Sequence, residues 1–237
     1  MSPLAAPELR ASVSEIFSSL QGEGPHAGER HLFVRFERCN VHCGYCDEEK
    51  PGTAESLGTV AGTIRALERE AGPHRLVSLT GGEPLLYVSF LEELLPPLAA
   101  EGFRFLLETN GSLPRALARV KPLIDVVSMD IKLPSVTQDR DLFAEHAEFL
   151  RSCAGVRETY VKIVISEALR REEFQRAVEL VAEVDPRCLV VLQPMSVPGN
   201  EVRRDLFPLL ESLQREALAR LEDVRVLPRF HHLLGIH

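Results

Sequence analysis

Three cysteines stand close together in the segment Cys39-Asn-Val-His-Cys43-Gly-Tyr-Cys46. Thiolates bind iron and zinc, and this spacing is typical of a metal or cluster site rather than of a disulfide framework. Structural zinc prefers four ligands, and a fourth would have to come from His42, directly beside Cys43, or from a distant residue. A cubane iron–sulfur cluster is usually held by four thiolates. Three would therefore leave one iron open to bind another molecule.

A second segment, Leu79-Thr80-Gly81-Gly82-Glu83-Pro84, follows a predicted strand and precedes a predicted helix. Glycines allow the backbone to approach a ligand closely, and a carboxylate pairs with a cationic ammonium group. Both segments would lie at the carboxyl ends of strands, where barrel-like sheets place their chemistry.

The cysteine spacing, with Tyr45 just before the last cysteine, and the Gly-Gly-Glu-Pro segment resemble the radical S-adenosylmethionine (AdoMet) superfamily. The resemblance implies a [4Fe-4S] cluster on Cys39, Cys43 and Cys46 whose open iron chelates the amino and carboxylate groups of AdoMet. The reduced cluster would donate one electron to the sulfonium and release a 5′-deoxyadenosyl radical.

Six further segments resemble, in the same order, the 7-carboxy-7-deazaguanine synthase family. They are residues 15–25, 33–40, 108–111, 130–132, 193–196 and 226–235. The implied reaction converts 6-carboxy-5,6,7,8-tetrahydropterin into 7-carboxy-7-deazaguanine with loss of ammonia, on the route to queuosine and other 7-deazapurines. The radical would abstract the C6 hydrogen, the ring would contract, and AdoMet would be regenerated.

The resemblance also implies site residues, and none is assigned as catalytic because the cofactor delivers the radical. The expected AdoMet contacts are Tyr45, Gly81, Gly82, Glu83, Asn110, Ser128, Asp130, Lys132, Gln193, Pro194, Met195 and Ser196. The expected substrate contacts are Leu20, Gln21, Gly22, Glu23, Arg35, Thr80, His231 and the terminal His237.

One position departs from the family pattern. A Thr or Ser hydroxyl usually follows Cys-Asp and helps to bind Mg²⁺, whereas this chain has Cys46-Asp47-Glu48. Mg²⁺ prefers oxygen ligands, so Glu48 is the candidate ligand. The alternatives are that Glu48 contacts the substrate directly or that the site needs no Mg²⁺.

Alternating strands and helices position these motifs. The pattern predicts strands at 12–18, 31–36, 76–79, 103–107, 124–128, 158–165, 188–192 and 224–226. It predicts helices at 57–70, 88–100, 114–120, 139–151, 170–184 and 203–221, with Pro96 and Pro97 breaking the second. Such alternation indicates parallel βαβ units.

The predicted fold is therefore α/β, an incomplete TIM-like (βα) barrel of the radical AdoMet type with a mostly parallel sheet. We expect one domain over residues 1–237, with an N-terminal strand and substrate loop at 1–30 and the partial barrel and C-terminal tail at 31–237.

The composition limits the kinds of partner that the chain is expected to bind. Its 237 residues carry 27 basic and 35 acidic side chains, a net charge of −8, which is unsuited to general duplex binding. No long apolar run or secretory signal is evident, so we expect a cytoplasmic protein without a membrane or direct nucleic-acid partner. The resemblance adds a flavodoxin or ferredoxin as electron donor and a homodimer.

Three alternatives stay open at this point. A glycyl-radical activating enzyme shares the cysteine spacing but would act on a protein partner. A non-catalytic zinc-binding module would use the same thiols. An enzyme acting directly on tRNA fits poorly with the net charge of −8.

Overall fold

The computed structural model describes residues 8–46, 51–196 and 204–230. A nine-stranded sheet with strand order β3-β1-β2-β4-β5-β6-β7-β8-β9 forms its centre. The strands are β1 (Arg10–Leu20), β2 (Arg30–Phe36), β3 (Thr53–Ser56), β4 (Leu76–Gly81), β5 (Phe105–Thr109), β6 (Val126–Asp130), β7 (Glu158–Ile165), β8 (Leu189–Pro194) and β9 (Val224–Val226).

Helices connect the strands. They are α1 (Leu57–Ala71), α2 (Val88–Ala100), α3 (Pro114–Val120), α4 (Pro134–Thr137), α5 (Phe143–Ser152), α6 (Arg171–Val184) and α7 (Phe207–Leu218). None of the described helices combines the length and apolar character needed to cross a bilayer.

The sheet is parallel from β2 through β4 to β9, while β1 pairs antiparallel with both β2 and β3. Its two edge strands, β3 and β9, are not joined to each other in the described part of the chain. The predicted α/β class with an incomplete, mostly parallel barrel is confirmed.

Side chains on successive strand residues point to opposite faces of the sheet. One set, including Val77, Leu79, Leu107, Val127 and Ile163, packs with the helices in the main apolar core. A second, smaller cluster fills the other face near the beginnings of the parallel strands; it contains Leu76, Leu106, Val126, Tyr160 and Val191. This cluster forms the floor of the partial barrel.

The loop of residues 21–29, here called the floor loop, joins β1 to the beginning of β2. The amide N–H groups of Gln21 and Gly28 donate to the carbonyls of Glu29 and Gln21, both at 2.8 Å. Gly24 has φ +66° and lies so close to Tyr160 that an added Cβ would be 2.7 Å from the tyrosine oxygen. The floor loop therefore packs closely against Tyr160 of the small apolar cluster.

Two local predictions differ from the structure. Helix α2 continues through Pro96 and Pro97; both are exposed, and burial of Leu94, Leu95 and Leu98 keeps the helix intact. The sequence pattern also missed β3, a short polar strand that exists because its backbone pairs with the edge of β1.

Several boundaries also shift. The predicted strands 103–107 and 124–128 lie two residues later as β5 and β6, and the predicted helix 139–151 begins only at Phe143.

Candidate active site

The inner face of the sheet changes character along each strand. Near the beginnings of the strands its side chains form the apolar floor, whereas toward their carboxyl ends they are polar. The polar set comprises Thr80 on β4, Glu108 on β5, Ser128 and Asp130 on β6, Lys162 on β7 and Gln193 on β8. A cavity of about 760 Å³ opens above the floor, and these side chains line it.

The three cysteines lie on the wall of this cavity, in the loop that follows β2. Around one zinc ion, neighbouring thiolate sulfurs are about 3.8 Å apart. Within the described ranges, the three sulfurs do not form a set lying within 4.8 Å of one another. A cubane separates its ligands further because each sulfur binds a different iron, so the loop suits a cluster better than a single zinc ion.

Gly81 and Gly82 bring the end of β4 against the entrance of the cysteine loop. The amide N–H of Gly82 donates to the Phe36 carbonyl at 2.7 Å, and the N–H of Glu83 donates to the Arg38 carbonyl at 2.7 Å. A Cβ on Gly81 would be 2.2 Å from the Phe36 oxygen, and one on Gly82 would be 2.3 Å from the Arg38 oxygen. Both positions therefore require glycine.

Glu83 does not line the cavity; it is fully buried behind the wall. Its carboxylate accepts hydrogen bonds from the Thr109 hydroxyl at 2.9 Å, the Asn110 amide N–H at 2.8 Å and the Leu85 amide N–H at 3.0 Å. Burial raises its pKa to about 7. In the structure the Glu83 carboxylate thus holds the loop after β5, and its expected contact with the AdoMet amino group stays a prediction.

Asn110 sits where that loop meets the cysteines. Its side-chain N–H₂ donates to the Asn40 side-chain oxygen at 2.9 Å and lies 3.7 Å from the sulfur of Cys39. Its own side-chain oxygen accepts from the Ser112 amide N–H at 3.0 Å. Glu83 therefore supports Asn110, which in turn contacts the cysteine loop.

Asp130 and Lys132 form a buried ion pair at 2.8 Å on the cavity wall. Burial by itself would lower the pKa of Lys132, but Asp130, Tyr45 and Cys43 together raise it well above its ordinary value. The Lys132 ammonium donates to the Tyr45 hydroxyl at 3.4 Å and stands 5.5 Å from the centre of its ring. A positive charge thus lies near Cys43.

Two buried oxygens on the cavity wall, Oδ1 of Asp130 and Oε1 of Gln193, have no hydrogen-bond partner among the described residues. Buried acceptors are rarely left without a donor, so these atoms are suited to the hydroxyl or ammonium groups of a bound ligand. With the glycine-lined wall and the three thiols, they fit an AdoMet molecule held against a cluster. Ser128, Met195 and Ser196 also line the cavity, whereas Pro194 does not.

The other end of the cavity is strongly charged. Glu23, from the floor loop, accepts from the Lys162 ammonium at 2.6 Å and from the Arg229 guanidinium at 2.8 Å. Lys162 also lies 3.4 Å from Asp130. Burial opposes its charge, but Glu23 and Asp130 raise its pKa above the ordinary value. This part of the cavity lining therefore presents both a carboxylate and two cationic side chains.

Glu108 lies beside this group and receives hydrogen bonds from the Thr80 hydroxyl and the Gln21 amide, each at 2.9 Å. Burial, followed by the negative charge of Glu23, raises the pKa of Glu108. The side-chain oxygen of Gln21 accepts from the amide N–H groups of Gly22 and Glu23, at 2.8 and 3.1 Å. Gln21 thereby orients Glu108 and Glu23 from outside the cavity lining.

Three other residues assigned to the substrate, Leu20, Gly22 and Arg35, also lie outside the lining. Arg35 does project from the same face as Thr80, its partner in the β2–β4 register. It forms an ion pair with Glu15 at 2.9 Å and its guanidinium lies 5.0 Å from the centre of the Phe17 ring. Glu48, His231 and His237 fall outside the described residues.

Glu108, Lys162 and Arg229 are lining residues that the sequence analysis did not assign. A signal for the first two was present. Lys162 is a charged residue between apolar neighbours in a predicted strand, Val161-Lys162-Ile163, and Glu108 directly follows the apolar end of another, Leu106-Leu107-Glu108. A charge in the middle of a parallel strand must face either a partner or a ligand. For Arg229 we find no comparable pattern.

The chain is similar in sequence to known proteins over most of its length. The model of the radical SAM superfamily matches residues 33–199. Among curated relatives, the 7-carboxy-7-deazaguanine synthase of Geobacter sulfurreducens is 37% identical over 246 residues, covering 95% of this chain and 97% of the relative. That of Methanothermobacter thermautotrophicus is 35% identical and covers 96% of this chain and 98% of the relative.

Solved structures share the fold. QueE from Escherichia coli superposes with a TM-score of 0.65 at 22% identity, covering 94% of this chain and 95% of that chain. The enzyme anSMEcpe, solved with bound AdoMet and a peptide, gives a TM-score of 0.57 at 18% identity and covers 80% of this chain and 60% of that chain. This chain belongs to the radical SAM superfamily and, within it, to the 7-carboxy-7-deazaguanine synthase family of 7-deazapurine biosynthesis.

Proposed function

We propose that the cavity binds AdoMet beside the cysteine loop and 6-carboxy-5,6,7,8-tetrahydropterin against the charged end, and that the product is 7-carboxy-7-deazaguanine. The net reaction removes one ammonia from the pterin and needs no net oxidant. One arrangement supports this proposal above others: a single cavity has three thiols on its wall and the Glu23–Lys162–Arg229 group in the same lining.

When bound, the cluster and AdoMet supply radical chemistry that abstracts a hydrogen atom from carbon. The residues suited to hold them are the three cysteines and a set that lines the cavity around them. That set is Tyr45, Gly81, Gly82, Asn110, Ser128, Asp130, Lys132, Gln193, Met195 and Ser196. Their contribution is to orient AdoMet and to exclude water, while Glu83 supports Asn110 from behind.

At the charged end, the chain offers complementary groups for a bicyclic pterin that carries a carboxylate. Cationic Lys162 and Arg229 suit the substrate carboxylate, because charge-assisted hydrogen bonds to carboxylates are strong. Glu23 and Glu108 suit the amino and N–H edge of the pterin, because both carboxylates line the cavity. Arg35 stays a proposed second carboxylate ligand, next to Thr80 in the sheet register.

An anaerobic assay tests the substrate. Holoenzyme incubated with the carboxypterin, AdoMet and dithionite should release 7-carboxy-7-deazaguanine, detected by mass spectrometry, with no protein partner present. AdoMet cleavage without a deazaguanine product would contradict the proposed substrate, and a requirement for a second protein would favour a glycyl-radical activating enzyme.

The Glu23→Gln variant tests the charged end directly. The glutamine amide is uncharged and has one acceptor oxygen, so it cannot hold Lys162 and Arg229 through two separate oxygens as Glu23 does. KM for the pterin should rise roughly tenfold or more, since hydrogen bonds to charged groups contribute about 1.5–3 kcal/mol. Iron content should not change. Glu101→Gln, a charge-matched change at a glutamate that pairs with Arg65 outside the cavity lining, is the control. An unchanged KM in Glu23→Gln would remove Glu23 from the substrate site.

The remaining assignments are part of the same proposal. Residues 1–237 would act as one radical SAM domain, which is supported by the pairing of β1 within the same sheet as the partial barrel. Mg²⁺ at Glu48, a flavodoxin or ferredoxin donor, contacts from His231 and His237, and a homodimer rest on family resemblance. Five free cysteines suit a reducing compartment such as the cytoplasm.

Magnesium has a direct test. Adding Mg²⁺ to metal-depleted holoenzyme should raise turnover, and a Glu48→Ala variant should need more Mg²⁺ for the same effect. Turnover that is independent of Mg²⁺ in the parent would show that the ion is dispensable.

A further inference from the structure

Two histidines and a glutamate come together at the opposite end of β2 from the cysteine loop. His26 and Glu29 belong to the floor loop, and His31 is the second residue of β2. Nδ1 of His26 is 3.0 Å and Nε2 of His31 is 3.4 Å from the same oxygen of Glu29. One ligand atom from each residue lies within 4.8 Å of the other two. None of the three lines the cavity described above.

These separations match the donor set of a small metal ion. Bonds of about 2.0–2.1 Å in a tetrahedral site place neighbouring ligand atoms about 3.3 Å apart. Two imidazoles with one carboxylate are characteristic ligands for divalent first-row transition metals. Only small side-chain movements would bring the three atoms to bonding distance around one ion.

The other ring nitrogens are already held. Nε2 of His26 is 3.0 Å from a carboxylate oxygen of Glu158 at the beginning of β7. Nδ1 of His31 is 2.9 Å from the hydroxyl of Ser78 on β4. Metal-bound histidines almost always use their second nitrogen in this way, because the contact fixes the ring orientation and the tautomer.

The charges are also suitable. His31 is completely buried, and a histidine binds a metal as the neutral imidazole. Glu29 and Glu158 supply two negative charges. Among the described residues, only one Lys or Arg side chain lies within ion-pair distance of either carboxylate. It is Arg75, which is 3.9 Å from Glu29 and 58% exposed. A divalent cation would balance the two carboxylates.

We propose that His26, Glu29 and His31 bind one divalent transition-metal ion, separate from the iron–sulfur cluster, with Glu158 and Ser78 orienting the two imidazoles. The ion would fasten the floor loop to β2 and, through Glu158, to β7. It would thereby fix the loop from which Gln21 and Glu23 reach the cavity.

Zinc is the probe. Cluster-loaded holoenzyme, in which the three cysteines are occupied, is stripped with a chelator, dialysed against Zn²⁺ and analysed for zinc per chain and for thermal unfolding with and without the metal. We expect about one zinc per chain and a higher unfolding temperature in its presence. The double variant His26→Gln/His31→Gln should lose both effects. Glu29→Gln, a milder change at the shared ligand, repeats the test if the double variant does not fold.

Two further variants separate a metal site from a hydrogen-bonded cluster. Glu158→Gln leaves all three ligands in place and should weaken zinc affinity roughly 10–100-fold. His74→Gln alters another buried histidine, paired with Glu68 at 2.5 Å, and should keep full zinc uptake. The proposal is overturned if the parent binds no more zinc than the double variant, or if Glu158→Gln leaves the affinity unchanged. Because zinc uptake is measured without turnover, the result is independent of the pterin reaction.

Discussion

Glu83→Gln distinguishes a supporting role for this side chain from direct contact with AdoMet. The fully buried carboxylate accepts from the backbone N–H groups of Leu85 and Asn110 through different oxygens. Whichever way the replacement amide is oriented, its N–H₂ group faces one of these two donors. One hydrogen bond is lost and one buried N–H is left without an acceptor.

The size of the effect follows from these contacts. A lost hydrogen bond contributes about 0.5–1.5 kcal/mol and a buried unsatisfied donor about 1–3 kcal/mol, so the variant should be destabilised by about 2–4 kcal/mol. For a chain of this size, that corresponds to a fall in Tm of roughly 4–16 °C. The loop carrying Asn110 should loosen as well, which would weaken AdoMet binding through a change in structure.

Anaerobic thermal unfolding and AdoMet titration of the cluster-loaded variant measure both effects. Glu101→Gln, at an exposed ion pair with Arg65, is the control and should change stability by less than about 1 kcal/mol. If Tm of Glu83→Gln stays within about 2 °C of the parent while AdoMet affinity collapses, the carboxylate contacts the cofactor and the supporting role is wrong.

Two other outcomes are expected. In Gly82→Ala the new Cβ would lie 2.3 Å from the Arg38 carbonyl oxygen, so elemental analysis should show less iron per chain and stability should fall by about 1–3 kcal/mol; Gly62→Ala, where nothing lies within 4 Å of the added Cβ, should load normally, and equal iron in both variants would contradict the close approach. His146, whose ring contacts the Asn110 carbonyl at 3.0 Å, has its pKa lowered from 6.5 to about 4 by burial. Its folded pKa is depressed, so its contribution is fully present above pH 6.5 and is lost as the pH falls toward 4, by about 2–4 kcal/mol. The stability advantage of the parent over His146→Gln in urea unfolding should shrink by that amount, and a constant difference across this range would refute the assignment.

Much of the fold follows from local patterns in the sequence. Alternating apolar strands and amphipathic helices predict the parallel sheet, because each period fixes which face of an element is buried. The exceptions have other causes. Strand β3 depends on pairing with β1, 40 or more residues away, and α2 continues through two prolines because its leucines are buried in the core. Neither cause is visible within a short window of sequence.

The sequence also predicted many of the residues that line the cavity, but not all of them. The cysteines, Gly81, Gly82, Asn110, Asp130, Lys132 and Gln193 all line one cavity, as their positions after strands predict. For Glu83 the motif does not reveal the structural contacts, since Gly81 and Gly82 line the cavity while the Glu83 carboxylate binds Thr109 behind the wall. Glu108 and Lys162 could have been found by asking which face each strand residue occupies.

The position of the floor loop affects how ligands could enter and leave the cavity. The packing of this loop against Tyr160 covers the cavity at the beginnings of the strands, whereas the cysteines lie at the carboxyl ends. If the pterin binds at Glu23 and AdoMet beside the cysteines, as proposed, the pterin should bind before AdoMet and leave after it.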